Sequence, residues 1–274
     1  MMAMFEKMLR EDLGFGDITS ELTVPEGLEA KGMVTVKEDC VVSGLGYLSE
    51  KVEKFGLEID ILIRDGEDAK KGDVVAVIKG NARKMLLVER VFINILGRMS
   101  GIATTTRRIV NKVREVNSNV RIAATRKTLM GRLDKIAVII GGGDPHRWNL
   151  ADHVLIKDNH IALVGLEEAV KRAKKASFVR KVEVEVISPQ DAVKVAKMGV
   201  DIILLDNFKP RDVSRTIELL NRNSLRNKVM LEVSGGINEG NITEYAKCNI
   251  DVISMGSLTH STKSVDFSLE IQPA

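Results

Sequence analysis

Between Arg121 and Met255 the chain repeats one unit: a short apolar run, a polar tip, then a stretch with helical spacing. The runs are Arg121 to Ala124, His153 to Ile156, Val182 to Val186, Ile202 to Leu205, Val229 to Val233 and Val252 to Met255. Segments with a period near 3.6 separate most of them, among them Pro189 to Met198, Pro210 to Asn221 and Glu239 to Lys247. Strand, tip, helix, strand implies a parallel sheet, because parallel neighbours need a long crossover and a helix is the usual one. Six or seven such units within about 150 residues fit a barrel better than an open doubly wound sheet.

The first third of the chain reads differently. From Lys31 to Gly80, β-rich runs alternate with turns: Met33 to Lys37, Ile59 to Ile63, and Val74 to Ile78 behind Lys71-Gly72-Asp73. That predicts a small sheet. Asp65 to Gly80 has the outline of a biotinyl or lipoyl carrier domain but no attachment tip, so it is read as scaffold. From Asn81 the period changes, and Met85, Leu86, Val88, Val91, Phe92, Ile95, Leu96 and Met99 predict a buried helix up to Gly101. A second amphipathic stretch follows from Thr104 to Val116. Val265 to Ile271 alternates like a strand with no helix after it, and is expected to return to the first sheet.

Composition narrows the classes. A chain of 274 residues can fold as one large domain or two moderate ones, and 44% hydrophobic with 29% charged residues is a globular mix. No apolar run is long enough to span a bilayer, Met1 to Arg10 lacks the core of a signal peptide, and a cytoplasmic location is expected. Met1, Met2 and Met4 are alternative starting points. Cys40 and Cys248 are too few and too isolated for a disulfide framework or metal knuckle and are read as packing residues. A net charge of +3 and ten aromatics argue against a nucleic-acid groove, so any anion chemistry must be local.

Polar residues on strands that ought to be buried mark where that chemistry lies. In Val182-Glu183-Val184-Glu185-Val186 the valines share one face and the glutamates the other. In a barrel the glutamate face points inward, where Glu232 would join it. Asp206 ends its strand at the C-terminal rim, where barrel enzymes keep their reactive groups. Buried carboxylates require cations or a metal. A structural ion-pair network accounts for Glu183 and Glu232 as well as function does, whereas Glu185 and Asp206 lie nearest the open rim. Arg126, Lys127, His146, Arg147 and Lys157 also follow strands or glycine turns, and predict a site for carboxylates or phosphates. Ser234-Gly235-Gly236 and Met255-Gly256-Ser257, after the last two strands, supply backbone N–H groups for a phosphate. Asn238 is a candidate helix cap. The residues therefore describe a mouth with a phosphate cradle, a cationic cluster and two acids that suit Mg²⁺.

These motifs resemble a known family. Ala124-Thr125-Arg126-Lys127-Thr128, Gly141-Gly142-Gly143 with His146-Arg147, Leu155-Ile156-Lys157-Asp158-Asn159-His160, Leu205-Asp206-Asn207, Ser234-Gly235-Gly236-Ile237 and Ser254-Met255-Gly256 are similar to those of quinolinate phosphoribosyltransferases, the carboxylating nicotinate-nucleotide pyrophosphorylases. Glu11 to Thr19, Glu89-Arg90 and Ser100 to Thr104 extend the likeness over nearly the whole chain.

The resemblance implies an α/β fold of the type II phosphoribosyltransferase kind. Its parts would be an N-terminal α/β sandwich over residues 1–102, joined by the returning strand 264–274, and an incomplete α/β barrel over 103–263. It implies a homodimer, able to assemble into a hexamer, with sites completed across the interface, and Mg²⁺ as cofactor. It further implies that Arg126, His146, Arg147 and Lys157 hold quinolinate, with Arg90 reaching in from the partner subunit. Lys127, Glu185 and Asp206 would be catalytic and would meet phosphoribosyl pyrophosphate, the two acids also serving the metal, directly or through water. Ser234, Gly235, Gly236 and Gly256 would take the 5′-phosphate. One stretch departs from the family: Leu129 to Lys135 is shorter and lacks the proline usual after Arg-Lys-Thr, so Arg132 is kept out of the expected site.

Two other enzyme readings compete, beside a non-enzymatic one in which the N-terminal sheet is a carrier or interaction module bearing a modified lysine. A nicotinate phosphoribosyltransferase would handle one carboxylate and release no CO₂, which the surplus of cations disfavours. A lyase would use Lys157 as a Schiff-base amine, which requires that amine to be neutral and desolvated. His153, His160 and His260 are read as supporting or packing residues as readily as ligands, and Trp148 as core.

Overall fold

The computed structural model describes residues 4–274; Met1 and Met2, two of the three alternative starts, lie outside them. Two compact units form, each from several pieces of chain. The first takes residues up to Arg107 together with Leu129–Gly142 and Ser261–Ala274, and the second takes Arg108–Thr128 and Gly143–His260.

Six strands belong to the first unit: β1 (Glu29–Val36), β2 (Cys40–Val41), β3 (Glu58–Ile61), β4 (Asp68–Ala69), β5 (Val74–Asn81) and, from the end of the chain, β12 (Phe267–Pro273). Four of them make an antiparallel sheet in the order β12-β1-β5-β3, with Val34 opposite Leu269 on one side and Ala76 on the other. β1 alternates buried and part-exposed residues along its length, so one face is core. A helix, Ala82–Arg114, buries Met85, Val88, Phe92, Ile95, Leu96 and Met99, the residues whose spacing predicted it.

That helix does not stop at Gly101 as expected but runs through it into the second amphipathic stretch. The reason lies far away in sequence. A Cβ on Gly97 would stand 2.5 Å from the Val265 carbonyl oxygen, and one on Gly101 2.1 Å from that of Lys263. Each glycine costs the helix about 1 kcal/mol relative to alanine. In return the returning chain comes close enough for the Val265 N–H to donate to the Gly97 carbonyl at 2.9 Å. The short Leu129–Lys135 stretch is also anchored. Asp134, fully buried, accepts both arms of the Arg98 guanidinium at 2.8 Å and the N–H groups of Leu129 and Met130.

The second unit contains β6 (Arg121–Ala123), β7 (Val154–Ile156), β8 (Val182–Val186), β9 (Ile202–Asp206), β10 (Met230–Ser234) and β11 (Val252–Ser254). All are parallel, in the order β6-β11-β10-β9-β8-β7. Beyond β6 a single parallel bridge joins Ala123 to Asp144, and between that bridge and β7 the sheet stays open. This is an incomplete α/β barrel. Crossover helices such as Pro189–Lys197 and Pro210–Arg222 close the repeats; the first is capped by Ser188, whose Oγ accepts from the Asp191 N–H at 3.1 Å. The helix expected from Glu239 is shorter, Ile242–Ala246, and Asn238 does not cap it. Its Oδ1 accepts from the Gly240 N–H and stabilises the preceding turn instead.

Candidate active site

Parallel register lines up the polar residues of the second unit in levels. Glu183 stands opposite Leu155 and Ile202, Glu185 opposite Leu204, which in turn faces Glu232, and Asp206 opposite Ser234. Acids thus climb from the barrel interior to its rim. Every residue of β8 is buried, as two-sided packing requires of a parallel strand.

At the C-terminal ends of these strands lies a cavity of about 830 Å³. Arg126 and Lys127, His146 and Arg147, and Lys157 line one part of it. Glu185, Asp206, Ser234, Gly235, Gly236 and Gly256 line the rest. Arg90 does not line it: it sits in the first unit on the long helix, with its side chain 63% exposed and Glu89 3.9 Å away.

Local structure sets each group in place. Lys157 directly follows β7, and its ammonium pairs with Glu185. That ion-paired amine, 44% exposed, is not desolvated as a Schiff-base lyase would need. Burial and the neighbouring Arg126 charge push the Arg147 guanidinium below its usual range, with Glu183 and Asp152 opposing them. Two guanidiniums near enough to repel form a site made for an anion. The loop that bears Lys127 is tied down by Thr259, whose hydroxyl donates to the Lys127 carbonyl at 2.7 Å.

Asn207 was not singled out from sequence, yet it organises the rim. At a φ of +56° it donates its backbone N–H to the Ser234 carbonyl and its side-chain amide to Asp206 Oδ2 at 2.7 Å. Directly opposite is Gly235 at φ +91°, where a Cβ would come within 2.3 Å of Asn207 Oδ1. A Leu-Asp-Asn strand end facing a Ser-Gly-Gly turn was the available signal.

Beneath the cationic end, His146 bonds through Nε2 to Glu232 at 3.1 Å, and His153 meets Glu183 at 2.6 Å. Burial alone would lower the His146 pKa, but hydrogen bonds and charge from Glu183 and Glu232 outweigh it and push it up to about 10. Burial would raise that of Glu183, but the two histidines pull it down to about 2. Trp148, expected in the core, is 36% exposed, since it follows the buried Arg147 on the segment leading to β7. Cys40 and Cys248 are both buried with free thiols.

Glu185 and Asp206 offer hard carboxylate oxygens on one wall of the cavity, a donor set whose chemistry fits a hard divalent cation such as Mg²⁺.

Comparison with known proteins gives the following. Residues 17–100 match the family described as quinolinate phosphoribosyl transferase, N-terminal domain, and residues 102–270 match its C-terminal domain. A probable nicotinate-nucleotide pyrophosphorylase [carboxylating] of Methanocaldococcus jannaschii is 49% identical over 271 residues, covering 97% of this chain and 95% of its own length. The Homo sapiens nicotinate-nucleotide pyrophosphorylase [carboxylating] is 34% identical, with 98% and 91% covered. The solved structure of the nicotinate-nucleotide pyrophosphorylase from Francisella tularensis superposes with a TM-score of 0.88 at 33% identity, covering 98% of this chain and 94% of that one.

Proposed function

The chain belongs to the quinolinate phosphoribosyltransferase family, and from that premise we propose how its cavity carries out the family's reaction in NAD biosynthesis. Quinolinate and phosphoribosyl pyrophosphate yield nicotinate mononucleotide, CO₂ and pyrophosphate. One observation carries the reading: a single cavity holds Arg126, Arg147 and Lys157 together with Glu185 and Asp206 and two glycine turns. That arrangement suits a dicarboxylate on one side and a phosphorylated sugar on the other.

Arg126, His146, Arg147 and Lys157 hold the two carboxylates of quinolinate, the guanidiniums by paired hydrogen bonds and the ammonium as a point charge. Ser234, Gly235, Gly236 and Gly256 take the 5′-phosphate through backbone N–H groups. As the bond from C1 to pyrophosphate breaks, positive charge grows on the ribose and negative charge on the leaving group. Glu185 and Asp206 stabilise the former, and Lys127 stabilises the latter. Glu185 and Asp206 would hold Mg²⁺, directly or through water, and the ion would there neutralise charge on the diphosphate. Once ribosylated, the ring nitrogen is cationic and stabilises the electron pair left on the adjacent carbon as its bond to the carboxylate breaks and CO₂ departs; that carbon then takes up one proton from water to give the C–H of the product. No covalent nucleophile is needed, so the protein's contribution is position and charge.

Arg90 is proposed to act in a homodimer, reaching the site of the partner subunit, with such dimers assembling further into a hexamer through a separate interface. Its exposure on the helix of its own first unit supports this. A cytoplasmic setting is proposed from the two free buried thiols and the charged substrates; among the described residues no helix is long and apolar enough to cross a membrane.

The test is stoichiometric. Purified protein with quinolinate, phosphoribosyl pyrophosphate and Mg²⁺ should release one CO₂ for each nicotinate mononucleotide formed. Turnover of nicotinate with none of quinolinate would overturn the proposal.

A further inference from the structure

Ser234, Gly235, Gly236 and Ile237 line the cavity, and φ values of +91° and +62° put the two glycines in the left-handed region. Among the described residues, the backbone N–H groups of Gly235, Gly236 and Ile237 donate to no protein acceptor. Consecutive unpaired N–H groups in a turn form a concave nest for an anion. Glycine is also the most permissive backbone, so the nest has little rigidity of its own.

Two asparagines hold it from the carbonyl side. The Asn207 N–H donates to the Ser234 carbonyl at 2.8 Å, and Asn241 Nδ2 donates to the Gly236 carbonyl at 3.1 Å. A trans peptide unit is planar, so its carbonyl and its N–H point opposite ways. Holding the Ser234 carbonyl therefore aims the Gly235 N–H away from Asn207. Holding the Gly236 carbonyl likewise aims the Ile237 N–H away from Asn241, which does not itself line the cavity.

The rest of the Asn241 side chain serves the same turn. Its Oδ1 accepts the Asn238 N–H at 2.9 Å, so one amide bridges the turn at two points. The helix that follows, Ile242–Ala246, receives no bond from it, although Asn241 occupies the capping position. The far end of the turn is pinned separately, by the Lys112 ammonium on the Glu239 carbonyl at 2.7 Å.

We propose that Asn241 is a positioning residue for the phosphate-binding turn, acting through the Gly236–Ile237 peptide and adding the Ile237 N–H to the donors that meet the 5′-phosphate. The proposal rests on the phosphate cradle of the reading above, and on neither quinolinate nor decarboxylation.

The experiment titrates the full chain with ribose 5-phosphate, and separately with pyrophosphate and Mg²⁺, while heat is followed; neither titration needs turnover. Asn241→Ala and Asn241→Ser should each weaken ribose 5-phosphate binding by about fivefold, as loss of the Gly236 hydrogen bond implies, and leave pyrophosphate binding within about twofold. Serine is itself a good residue at a helix start, which keeps the local fold in case alanine disturbs it. In steady state the KM for phosphoribosyl pyrophosphate should rise in both variants while that for quinolinate holds, a split that general loss of structure would not produce. Such a loss of ribose 5-phosphate binding supports the proposal whichever pyridine acid the wild-type chain turns over. Unchanged ribose 5-phosphate binding in both variants overturns it, as does an equal loss for pyrophosphate. A wild-type chain without affinity for ribose 5-phosphate overturns it together with the cradle.

Discussion

Gly235→Ala tests the rim more sharply than removal of any charged residue, because the damage can be traced atom by atom. The added methyl would lie 2.3 Å from Asn207 Oδ1, 2.6 Å from its Cγ and 2.9 Å from its backbone nitrogen. The side chain must swing away, breaking its 2.7 Å bond to Asp206, a loss of about 1 kcal/mol at this exposed position. A non-glycine residue at φ +91° carries backbone strain of about 1–3 kcal/mol besides. The expected destabilisation is therefore about 3 kcal/mol. Gly236→Ala is the internal control: φ is +62°, nothing lies within 4 Å of its Cβ, and only about 1 kcal/mol of left-handed strain is expected. Urea unfolding of both variants should show midpoints separated by about 2 kcal/mol after scaling by a common slope. Steady-state kinetics should show a larger rise in KM for phosphoribosyl pyrophosphate than for quinolinate in Gly235→Ala. Equal stabilities in the two variants would refute the contact with Asn207, and an unchanged KM would refute the phosphate cradle.

Arg126→Ala and Arg147→Ala should each raise the KM for quinolinate by far more than that for phosphoribosyl pyrophosphate, a loss of about 2–5 kcal/mol if a buried charge pair is broken; initial-rate kinetics with each substrate varied will show it. Asp134→Ala leaves the Arg98 guanidinium buried beside four lost hydrogen bonds, and denaturant unfolding should register about 3–5 kcal/mol. Burial, helped by Glu38, Asp39 and Asp68, pushes the Cys40 thiol up to about 12. It should remain protonated through neutral pH and react with a thiol reagent only after denaturant is added, as a timed colour assay would report.

Much of the second unit could be read directly from the chain. Apolar runs a few residues long between helical spacings leave few alternatives to a parallel sheet, and inward glutamates on β8 follow from the two-residue period. What escaped depended on partners distant in sequence. Gly101 looked like a helix end because glycine usually is one; nothing local announces that Lys263 needs its missing side chain. Asp134 lay in a stretch without the expected proline, and only Arg98, 36 residues earlier, explains how that stretch is held. His153 and Glu183 were each noticed alone, since their meeting depends on the register between β7 and β8. Arg90 shows the reverse case, a residue whose proposed role the fold of a single chain does not express.

The unclosed wall of the second unit has a bearing on solubility. A breach in a sheet ordinarily exposes a ribbon of unsatisfied amides and carbonyls that recruits stray chains. Here one margin is the three-residue β7 and the other the lone bridge at Asp144. Margins so stubby offer too few rungs for a foreign strand to zip onto. The sheet therefore stays unclosed without leaving a ledge on which aggregates would grow.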